Sequence, residues 1–598
     1  MRREEQHVED TWNMQDLYAS EEQYAQEKGQ LEDLMEKFSG LAKTLGQGAG
    51  QLYTALRLYE EMGYLHERLH VYANQKYHED TGNAKYQKMS GEAQILGAKL
   101  EQCVSWLEPE ILALPQETLE DYFAAEPKLE DYRRFLKQIT RMREHTLDPD
   151  MEALMARAGE MGQTPSNIFS MFNNADIRFP DVVGADGVKH PLTVGSYISY
   201  QESKDRVLRK DAFQKFYGVY GQFRNTLASA YYGNAKQADF FAKEHHYSGA
   251  MEAALDSNAI PVSVYENLVQ AVNDRLPLMH RYVKLRKQML GVDELHMYDV
   301  YAPLVKDVSK EYSFSEAKEI VKQGLKPLGE DYVSLLQEGF DNRWIDVYEN
   351  QGKRTGAYSW GAYGTHPYVL MNYHGTLDSV FTLAHEMGHA LHSWHSDHAQ
   401  PYRYAGYKIF VAEVASTCNE ALLIHDMMDR TDDPAQKAYL INHFLEKFKG
   451  TLYRQTMFAQ FEMETHRIVQ EGGTLTAELL CQKYFDLNQR YFGPEMNVDP
   501  EIAIEWARIP HFYTPFYVYQ YSTGFSAAIA ISSKILSGEP GIVEKYKQFL
   551  SGGCSQDPID LLKICGVDMT SPKPVEQALD VFEEYIGKLE AFCAKGQA

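Results

Sequence analysis

The sequence predicts a large, mainly α-helical protein with a small β-sheet. Three observations support this prediction. Apolar residues recur at spacings of three and four over most of the 598 residues, β-branched runs are confined to two short islands, and internal repeats are absent. Hydrophobic residues make up 44% of the chain and charged residues 24%, as in ordinary globular proteins.

Residues 1–175 have the pattern of successive amphipathic helices. The pattern then changes, and short β-branched runs flank Asp186-Gly187, a dipeptide that favours a tight hairpin turn. Helical periodicity resumes and continues to about residue 338. We therefore predict two domains: an N-terminal helical domain over residues 1–200 and a C-terminal domain over residues 201–598.

A second non-helical island spans residues 342–375. The segments WIDVY and YVLMNY are predicted to be strands, and a loop rich in glycine and tyrosine joins them. From residue 376 to the end the chain is predicted to be helical again. The small sheet therefore lies directly before the segment TLAHEMGHALHSWHS, which carries four histidines and one glutamate.

The segment from Thr376 to about Gln400 is predicted to be one helix, which Pro401 ends. Its apolar face comprises Val380, Leu383, Ala384, Met387, Ala390, Leu391 and Trp394. Four residues along a helix advance about 40° around its axis and about 6 Å along it. His385 and His389 therefore point in the same direction from adjacent turns, and both can reach one ion. With Glu386 between them they form the HExxH pattern of zinc peptidases.

The third metal ligand has two candidates. His395 occupies the last position of the metzincin pattern HExxHxxGxxH, but that pattern needs a glycine where this chain has His392. In a continuous helix His395 lies too far along the axis to share the ion. We therefore choose Glu413, which lies among apolar residues on a predicted helix over residues 410–428 that also carries Glu420. Two histidines and a carboxylate leave a position open for water, as a catalytic zinc requires.

The remaining histidines of this helix have weaker patterns. His392 shares a face with His385 and His389, so it either lines a cleft or is a structural histidine. His395 and His398 are predicted to face solvent.

A second cluster of polar aromatic residues lies in the segment IPHFYTPFYVYQYSTGF, residues 509–525. Thr514-Pro515 is a good helix start, so Tyr517 and Tyr521 are predicted to share a helix face, with His511 in the preceding loop. Histidine and tyrosine can donate hydrogen bonds to the oxyanion that forms during peptide hydrolysis. Aromatic core packing is the alternative interpretation of this segment.

Composition excludes several classes of function. The net charge of −26 argues against nucleic-acid binding, because no basic face is available for phosphates. The six cysteines are scattered without a CxxC pair, which indicates reduced thiols. The start lacks the apolar run of a signal peptide, and no apolar stretch is long enough to span a membrane. We therefore expect a cytoplasmic protein that acts without a membrane; its oligomeric state stays undetermined.

Several segments together resemble a known family. They are GAYS, HPYVLMNYHGTLDSVFTLAHEMGHALHS, FVAEVASTCNE and IPHFYTPFYVYQYSTG, with REHTLDPDMEALMARAG and IFSMFNNADIRFP nearer the N-terminus. The sequence is similar to the oligoendopeptidase F group of the thimet-type oligopeptidases, and the likeness covers essentially the whole chain.

The resemblance implies a two-lobed helical metallopeptidase with a deep channel that admits short unstructured peptides. It implies one zinc ion, held by His385, His389 and Glu413, in a catalytic domain whose zinc helices span about residues 376–428. It also implies that Glu386 is the general base. Further residues it singles out are His511 and Tyr517 at the transition state, with Tyr521, His392 and Tyr373 as candidates for substrate contact. Independently of the resemblance, the strand YVLMNYHG lies just before the HExxH motif, and we expect an extended substrate backbone to pair with it.

Two other functions stay open. The motif HEMGH also occurs in dipeptidyl carboxypeptidases of the angiotensin-converting-enzyme type, which recognise the free carboxylate of a peptide. A metal- or peptide-binding protein without turnover is the second alternative, although the presence of Glu386 argues against it.

Overall fold

The computed structural model describes residues 2–305 and 310–594 and shows a predominantly helical protein with small sheets. The predicted fold class is confirmed. Within the described residues, no helix combines the length and the apolar character needed to cross a bilayer.

The first 175 residues form consecutive helices, as predicted, because apolar side chains every three or four residues place one buried stripe along each helix. The helices are α1 (Glu21–Ser39), α2 (Ala49–Glu79), α3 (Ala84–Val104), α4 (Leu107–Ala113), α5 (Gln116–Ala125), α6 (Arg133–Thr140), α7 (Pro149–Gly162) and α8 (Thr164–Met171).

The predicted hairpin follows. Strands β1 (Val182–Val183) and β2 (Lys189–His190) pair antiparallel around Gly187, whose positive φ of 77° suits a tight turn. Helices then resume as α9 (Val194–Gln201), α10 (Arg206–Gln222), α11 (Arg224–Glu244), α12 (Ala250–Asp256), α13 (Val262–Asp274) and α14 (Leu276–Leu290). After β3 (Leu295–His296) come α15 (Phe314–Gly324) and α16 (Glu330–Asp341).

The second island forms a three-stranded sheet. Both predicted strands are present, as β4 (Ile345–Asp346) and β6 (Tyr368–Leu370), and they pair in parallel. The sequence interpretation missed β5 (Tyr358–Trp360), which pairs antiparallel with β6. Because β6 lies between β4 and β5, both of its edges are occupied. The expectation that a substrate backbone pairs with this strand is therefore wrong.

The described residues that follow are mainly helical and include one further strand, β7 (Met496–Asn497), which pairs in parallel with β3. The helices are α17 (Leu377–Ala399), α18 (Tyr402–Ala405), α19 (Ile409–Arg430), α20 (Pro434–Lys447), α21 (Arg454–Gln470), α22 (Ala477–Phe492), α23 (Tyr519–Leu536), α24 (Ile542–Leu550), α25 (Pro558–Ile564) and α26 (Lys573–Ala594).

The chain divides into two compact units, each assembled from three stretches. The first unit draws on Met1–Pro149, Lys310–Leu423 and Lys534–Asp557, and the second on Asp150–Ser309, Ile424–Ser533 and Pro558–Ala598. In the first unit, Tyr368 and Leu370 of β6 belong to the same buried core as residues of α1, α2 and α3. The predicted boundary near residue 200 between two functional domains stays a prediction.

Candidate functional site

Helix α17 carries the two histidines of the HExxH pattern. The side chain of Thr376 caps the helix by accepting a hydrogen bond from the backbone N–H of Ser379. Six residues of the predicted apolar face are fully buried: Val380, Leu383, Ala384, Met387, Ala390 and Leu391. With that face fixed against the core, His385 and His389 project from adjacent turns, and their ring centroids lie 4.8 Å apart.

Gly388 sets the distance between α17 and α19. A Cβ atom at this position would lie 2.6 Å from the Cα of Ser416 and 2.9 Å from the carbonyl oxygen of Ala415. Only glycine allows the two helices to approach so closely. Asn419 adds a hydrogen bond from its side chain to the carbonyl of Ala384 at 3.1 Å. The close approach brings α19 near enough for its carboxylates to reach the histidines.

Glu413 meets both histidines of α17. Its Oε2 lies 3.4 Å from Nε2 of His385 and 3.5 Å from Nε2 of His389. Within the described residues, these three are the set whose ligand atoms all lie within 4.8 Å of one another. Tetrahedral zinc with bonds of about 2.0–2.1 Å separates its ligand atoms by about 3.3–3.4 Å. The donor types and their spacing therefore fit a zinc ion.

The three donors are also accessible. The side chains of His385, His389 and Glu413 are 28%, 17% and 34% exposed. A structural zinc site is normally closed by a fourth protein ligand, whereas a catalytic site keeps an open position. Three partly exposed donors match the catalytic type.

A second carboxylate on α19 orients His385. Oε1 of Glu420 lies 2.6 Å from Nδ1 of His385, on the opposite side of the ring from Glu413. A proton on Nδ1, donated to Glu420, leaves the lone pair of Nε2 free for a metal. Sequence reasoning noted Glu420 but gave it no role. Its spacing of seven residues from Glu413, two helical turns on the same face, was the available signal.

We expect Glu420→Gln to weaken metal binding by about 10–100-fold, the usual effect of losing such an orienting carboxylate. The amide keeps the size of the side chain but removes the charge that favours the required tautomer of His385. Competition titration with a chromogenic chelator measures the change. Unchanged affinity would show that Glu420 does not orient the ligand.

Two carboxyl groups near the histidines have pKa values shifted in opposite directions. Burial opposes ionisation of Glu413, but hydrogen bonding and charge from His389 and His385 hold its pKa at about 2. Burial raises the pKa of Glu386, which is 7% exposed, and the charges of the two histidines only partly offset this effect. Oε2 of Glu386 is buried without a hydrogen-bond partner among the described residues. One carboxylate thus suits a ligand and the other a proton acceptor.

Two of the predicted substrate contacts are buried in the first unit. His392 is 1% exposed and stacks on Tyr407 at 3.8 Å, and burial lowers its pKa to about 3. Tyr373 is 6% exposed, and its hydroxyl donates to the carbonyl of Tyr312 at 2.8 Å. This packing favours structural roles for both side chains.

The prediction that His395 and His398 face solvent is half right. His398 is exposed. His395 is partly buried beside the ring of Tyr332, with its Nε2 shielded from solvent, and burial lowers its pKa to about 4. The prediction for His395 is therefore wrong. Its cause is the packing of α16 against α17, which periodicity along α17 alone does not reveal.

The second predicted cluster forms in the second unit. The ring of His511 lies parallel to that of Tyr517 with centroids 5.9 Å apart, and Tyr517 and Tyr521 lie 5.6 Å apart. Nε2 of His511 lies 3.4 Å from the hydroxyl of Tyr521. His511 itself is exposed. The structure therefore brings these three residues together and leaves polar groups available to a ligand.

The predicted helix start at Thr514-Pro515 is wrong. Helix α23 begins at Tyr519, and Phe516 has a φ of 57°, which breaks the helical path. Tyr517 therefore precedes the helix, and its proximity to Tyr521 comes from the turn. The sequence signal was ambiguous because a threonine before proline also suits a turn.

A buried ion network anchors the segment before His511. Glu505 is 2% exposed and accepts hydrogen bonds from Tyr217, Tyr484, Arg454 and Arg508 at 2.6–2.8 Å. Burial opposes its ionisation, but the two arginines hold its pKa well below the usual range. The paired charge fixes the 3₁₀ segment Pro500–Arg508, and the short 3₁₀ segment Pro510–Tyr513 follows it.

Comparison with known proteins gives these clusters a context. The family model described as Peptidase family M3 matches residues 199–581, and the model described as Oligopeptidase F matches residues 110–179. The chain belongs to peptidase family M3. The resemblance seen in the sequence is thereby confirmed. The group formed by His385, His389 and Glu413 and the His511 cluster both lie within the M3 match.

Several M3 relatives match nearly the full chain. Oligopeptidase PepF of Bacillus subtilis (strain 168) is 46% identical over 593 residues, which cover 99% of this chain and 88% of that protein. Group B oligopeptidase PepB of Streptococcus agalactiae is 40% identical over 592 residues, covering 99% and 98%.

A solved structure of oligoendopeptidase-F from Enterococcus faecium is 40% identical to this M3 chain. It has a TM-score of 0.76 and covers 96% of this chain and 99% of that one. A solved structure of a peptidase from Chlamydophila abortus is 34% identical with a TM-score of 0.92 and covers 99% of both chains. These two solved structures therefore share the helical fold of this M3 peptidase over almost its whole length.

Proposed function

We propose that this M3 peptidase is a zinc-dependent oligoendopeptidase that hydrolyses internal bonds of short unstructured peptides. The observation that carries the proposal is the convergence of His385, His389 and Glu413 beside the buried carboxyl of Glu386. The names of the relatives, oligopeptidase and oligoendopeptidase, support the same substrate class. The scattered spacing of the six cysteines, without a CxxC pair, supports the cytoplasmic location that we infer.

Each residue has a proposed role. His385, His389 and Glu413 hold the ion, which when bound would polarise the scissile carbonyl and lower the pKa of water. Glu386 accepts the proton of the attacking water and passes it to the departing amine.

The second cluster has a separate role in this proposal. His511 and Tyr517 donate hydrogen bonds to the oxyanion that develops on the substrate. Tyr521, which lies beside His511, contacts the substrate. Substrate contact by His392 or Tyr373 would require both side chains to leave the packed positions described above, so we give them structural roles.

The main competing function is removal of dipeptides from free carboxyl termini. The curated relatives favour internal cleavage, since three matching proteins carry the name oligoendopeptidase F and are 37–38% identical over 98% of this chain. A binding protein without turnover would need no proton acceptor at position 386, whereas Glu386 has a partnerless oxygen next to the ligand set.

The test uses a peptide of about nine residues, blocked at both ends, incubated with the zinc-loaded protein. We expect mass spectrometry to show internal cleavage that a chelator suppresses and added zinc restores. Two imidazoles and a carboxylate are donors that bind a divalent ion such as zinc. Cleavage of the unblocked peptide alone, with loss of C-terminal dipeptides, would support the competing carboxypeptidase function. Cleavage that persists in excess chelator would contradict the metal dependence.

A further inference from the structure

Glu462 is a buried acid outside the ligand set. It lies on α21 in the second unit and is 0% exposed. Its Oε1 accepts a hydrogen bond from the backbone N–H of Phe516 at 3.0 Å. Its Oε2 is buried and has no hydrogen-bond partner among the described residues. Buried carboxyl groups usually have hydrogen bonds to both oxygens, so a fully buried carboxyl with a single hydrogen bond from a backbone N–H needs a structural or functional explanation.

The partner residue has an unusual backbone conformation. Phe516 has a φ of 57°, in the left-handed region that bulky side chains rarely adopt. Its ring is buried against Tyr265 and His466, with centroids 5.7 and 4.7 Å away. The ring packing and the hydrogen bond to Glu462 together hold the strained residue in place, because such conformations persist only when the surroundings impose them.

The strained turn decides where the second cluster forms. Phe516 directly precedes Tyr517, and α23 starts two residues later. If the helix began at Thr514-Pro515, Phe516 would be helical and Tyr517 would lie in the first turn of the helix, instead of following a left-handed turn that leads to the ring of His511. The parallel arrangement of His511 and Tyr517 therefore depends on the left-handed turn at Phe516.

We propose that Glu462 is a positioning residue, which sets the His511–Tyr517 pair for catalysis by holding the backbone of Phe516. The inference rests on the proposed function, in which His511 and Tyr517 donate hydrogen bonds to the oxyanion. It explains how these two side chains are held in position for that role. It adds a residue that touches neither substrate nor metal ligands.

The surroundings of Glu462 keep its carboxyl neutral. Tyr231 on α11 and Tyr265 on α13 interact electrostatically with it, and neither supplies a positive charge. His466 lies one turn after Glu462 on α21 and is uncharged at neutral pH. Burial raises the pKa of Glu462 to about 8, and the hydrogen bond from Phe516 only partly offsets this. Burial lowers the pKa of His466 to about 4. A glutamine at position 462 therefore has the charge and shape of the native side chain.

The experiment compares Glu462→Gln with Glu462→Leu in the full, zinc-loaded chain. The amide keeps the oxygen that accepts from Phe516, and leucine removes it. We expect Glu462→Leu to lower kcat by about 10–100-fold, the scale of a small misplacement of catalytic groups, and Glu462→Gln to keep kcat within about threefold of the parent. KM and zinc content should change little in either variant.

A double-mutant cycle separates positioning from general loss of stability. If Glu462 acts through His511, the effect of Glu462→Leu on kcat should largely disappear in a His511→Ala background. Equal effects in both backgrounds would overturn the inference. A parent enzyme that fails to cleave the blocked peptide would overturn the proposed function instead, so the two failures are distinguishable.

A matched pair at position 516 tests the turn if Glu462→Leu does not fold. Phe516→Gly and Phe516→Ala both delete the ring, but only glycine adopts a positive φ without strain. We expect Phe516→Gly to retain at least about threefold more kcat than Phe516→Ala. Equal kcat values would overturn the claim that the left-handed turn places the pair.

The protonation state of Glu462 affects the pH dependence of the protein's thermal stability. The folded pKa of about 8 lies above the ordinary value of 4.5, so the stabilisation from protonated Glu462 is complete below about pH 4.5 and is lost as the pH rises through about 8. Glu462→Gln does not titrate. The Tm of this variant minus that of the parent should therefore increase between pH 5 and pH 9. A difference that does not change with pH would contradict a neutral buried carboxyl at this position.

Discussion

Glu386→Gln is expected to abolish peptide hydrolysis while the metal site stays intact. The amide matches the carboxyl in size but cannot accept a proton at neutral pH. General acid–base catalysis contributes about 10²–10⁴-fold to rate, and Glu386 is the group we assign to both proton transfers. We therefore expect kcat to fall by about 10³-fold or more, with KM changed far less.

The position of Glu386 predicts that the variant folds well. The carboxyl is 7% exposed, and burial raises its pKa. Ionised Glu386 therefore destabilises the folded protein. A neutral amide removes that destabilisation. We expect the Tm of Glu386→Gln to equal or exceed that of the parent, and the zinc content measured by atomic emission to stay near one ion per chain.

Asp378→Asn is the matched control. It makes the same change from acid to amide on the same helix, at an exposed position in the first turn. We expect its kcat to lie within about twofold of the parent. Full activity in Glu386→Gln would remove Glu386 from the mechanism, and loss of zinc in that variant would show that it is a ligand instead.

The features predictable from the sequence are those that local geometry determines. The spacing of His385 and His389 fixes their shared direction once α17 forms, and the apolar face of α17 fixes which side is buried. The same reasoning located the hairpin at Gly187 and the strands β4 and β6. In each case a few neighbouring residues carry the whole signal.

The features that were missed depend on contacts distant in sequence. The three-residue strand β5 exists because β6 offers it a partner, and Tyr358–Trp360 alone has no clear alternating pattern. The left-handed turn at Phe516 is held by Glu462, which lies 54 residues away along the chain. No periodicity in either segment encodes such a partner, so the sequence pattern predicts a helix start that is too early.

Glu413→Gln is expected to weaken zinc binding strongly, so that hydrolysis is lost at zinc concentrations that saturate the parent enzyme. The charged Oε2 lies 3.4 and 3.5 Å from the two histidine nitrogens, and its pKa of about 2 keeps it ionised over the working range of pH. An amide oxygen brings no negative charge to the metal, and the two imidazoles that would bind it do so in their neutral form. We expect metal affinity to fall by more than the 10–100-fold predicted for Glu420→Gln.

The two variants together test the ligand assignment. Glu413 and Glu420 lie on the same face of α19 and both contact His385, one at Nε2 and the other at Nδ1. Glu413 also reaches His389. The atoms of all metal ligands must surround one ion and so lie near one another. An orienting carboxylate needs to contact only the ligand that it orients. The order of metal affinities should therefore be parent, then Glu420→Gln, then Glu413→Gln.

The reverse order would exchange the two roles, with Glu420 holding the ion at Nδ1 of His385. His389 would then have to reach Glu420, and the contact between His389 and Glu413 would have no function in metal binding. Zinc-edge X-ray absorption of the two variants, each loaded at protein and zinc concentrations above its dissociation constant, gives a second test that does not depend on affinity. Replacing a ligating carboxylate changes the coordination shell, and replacing an orienting carboxylate does not. We expect the shell to change only in Glu413→Gln, since its Oε2 is the carboxylate oxygen placed between both imidazoles.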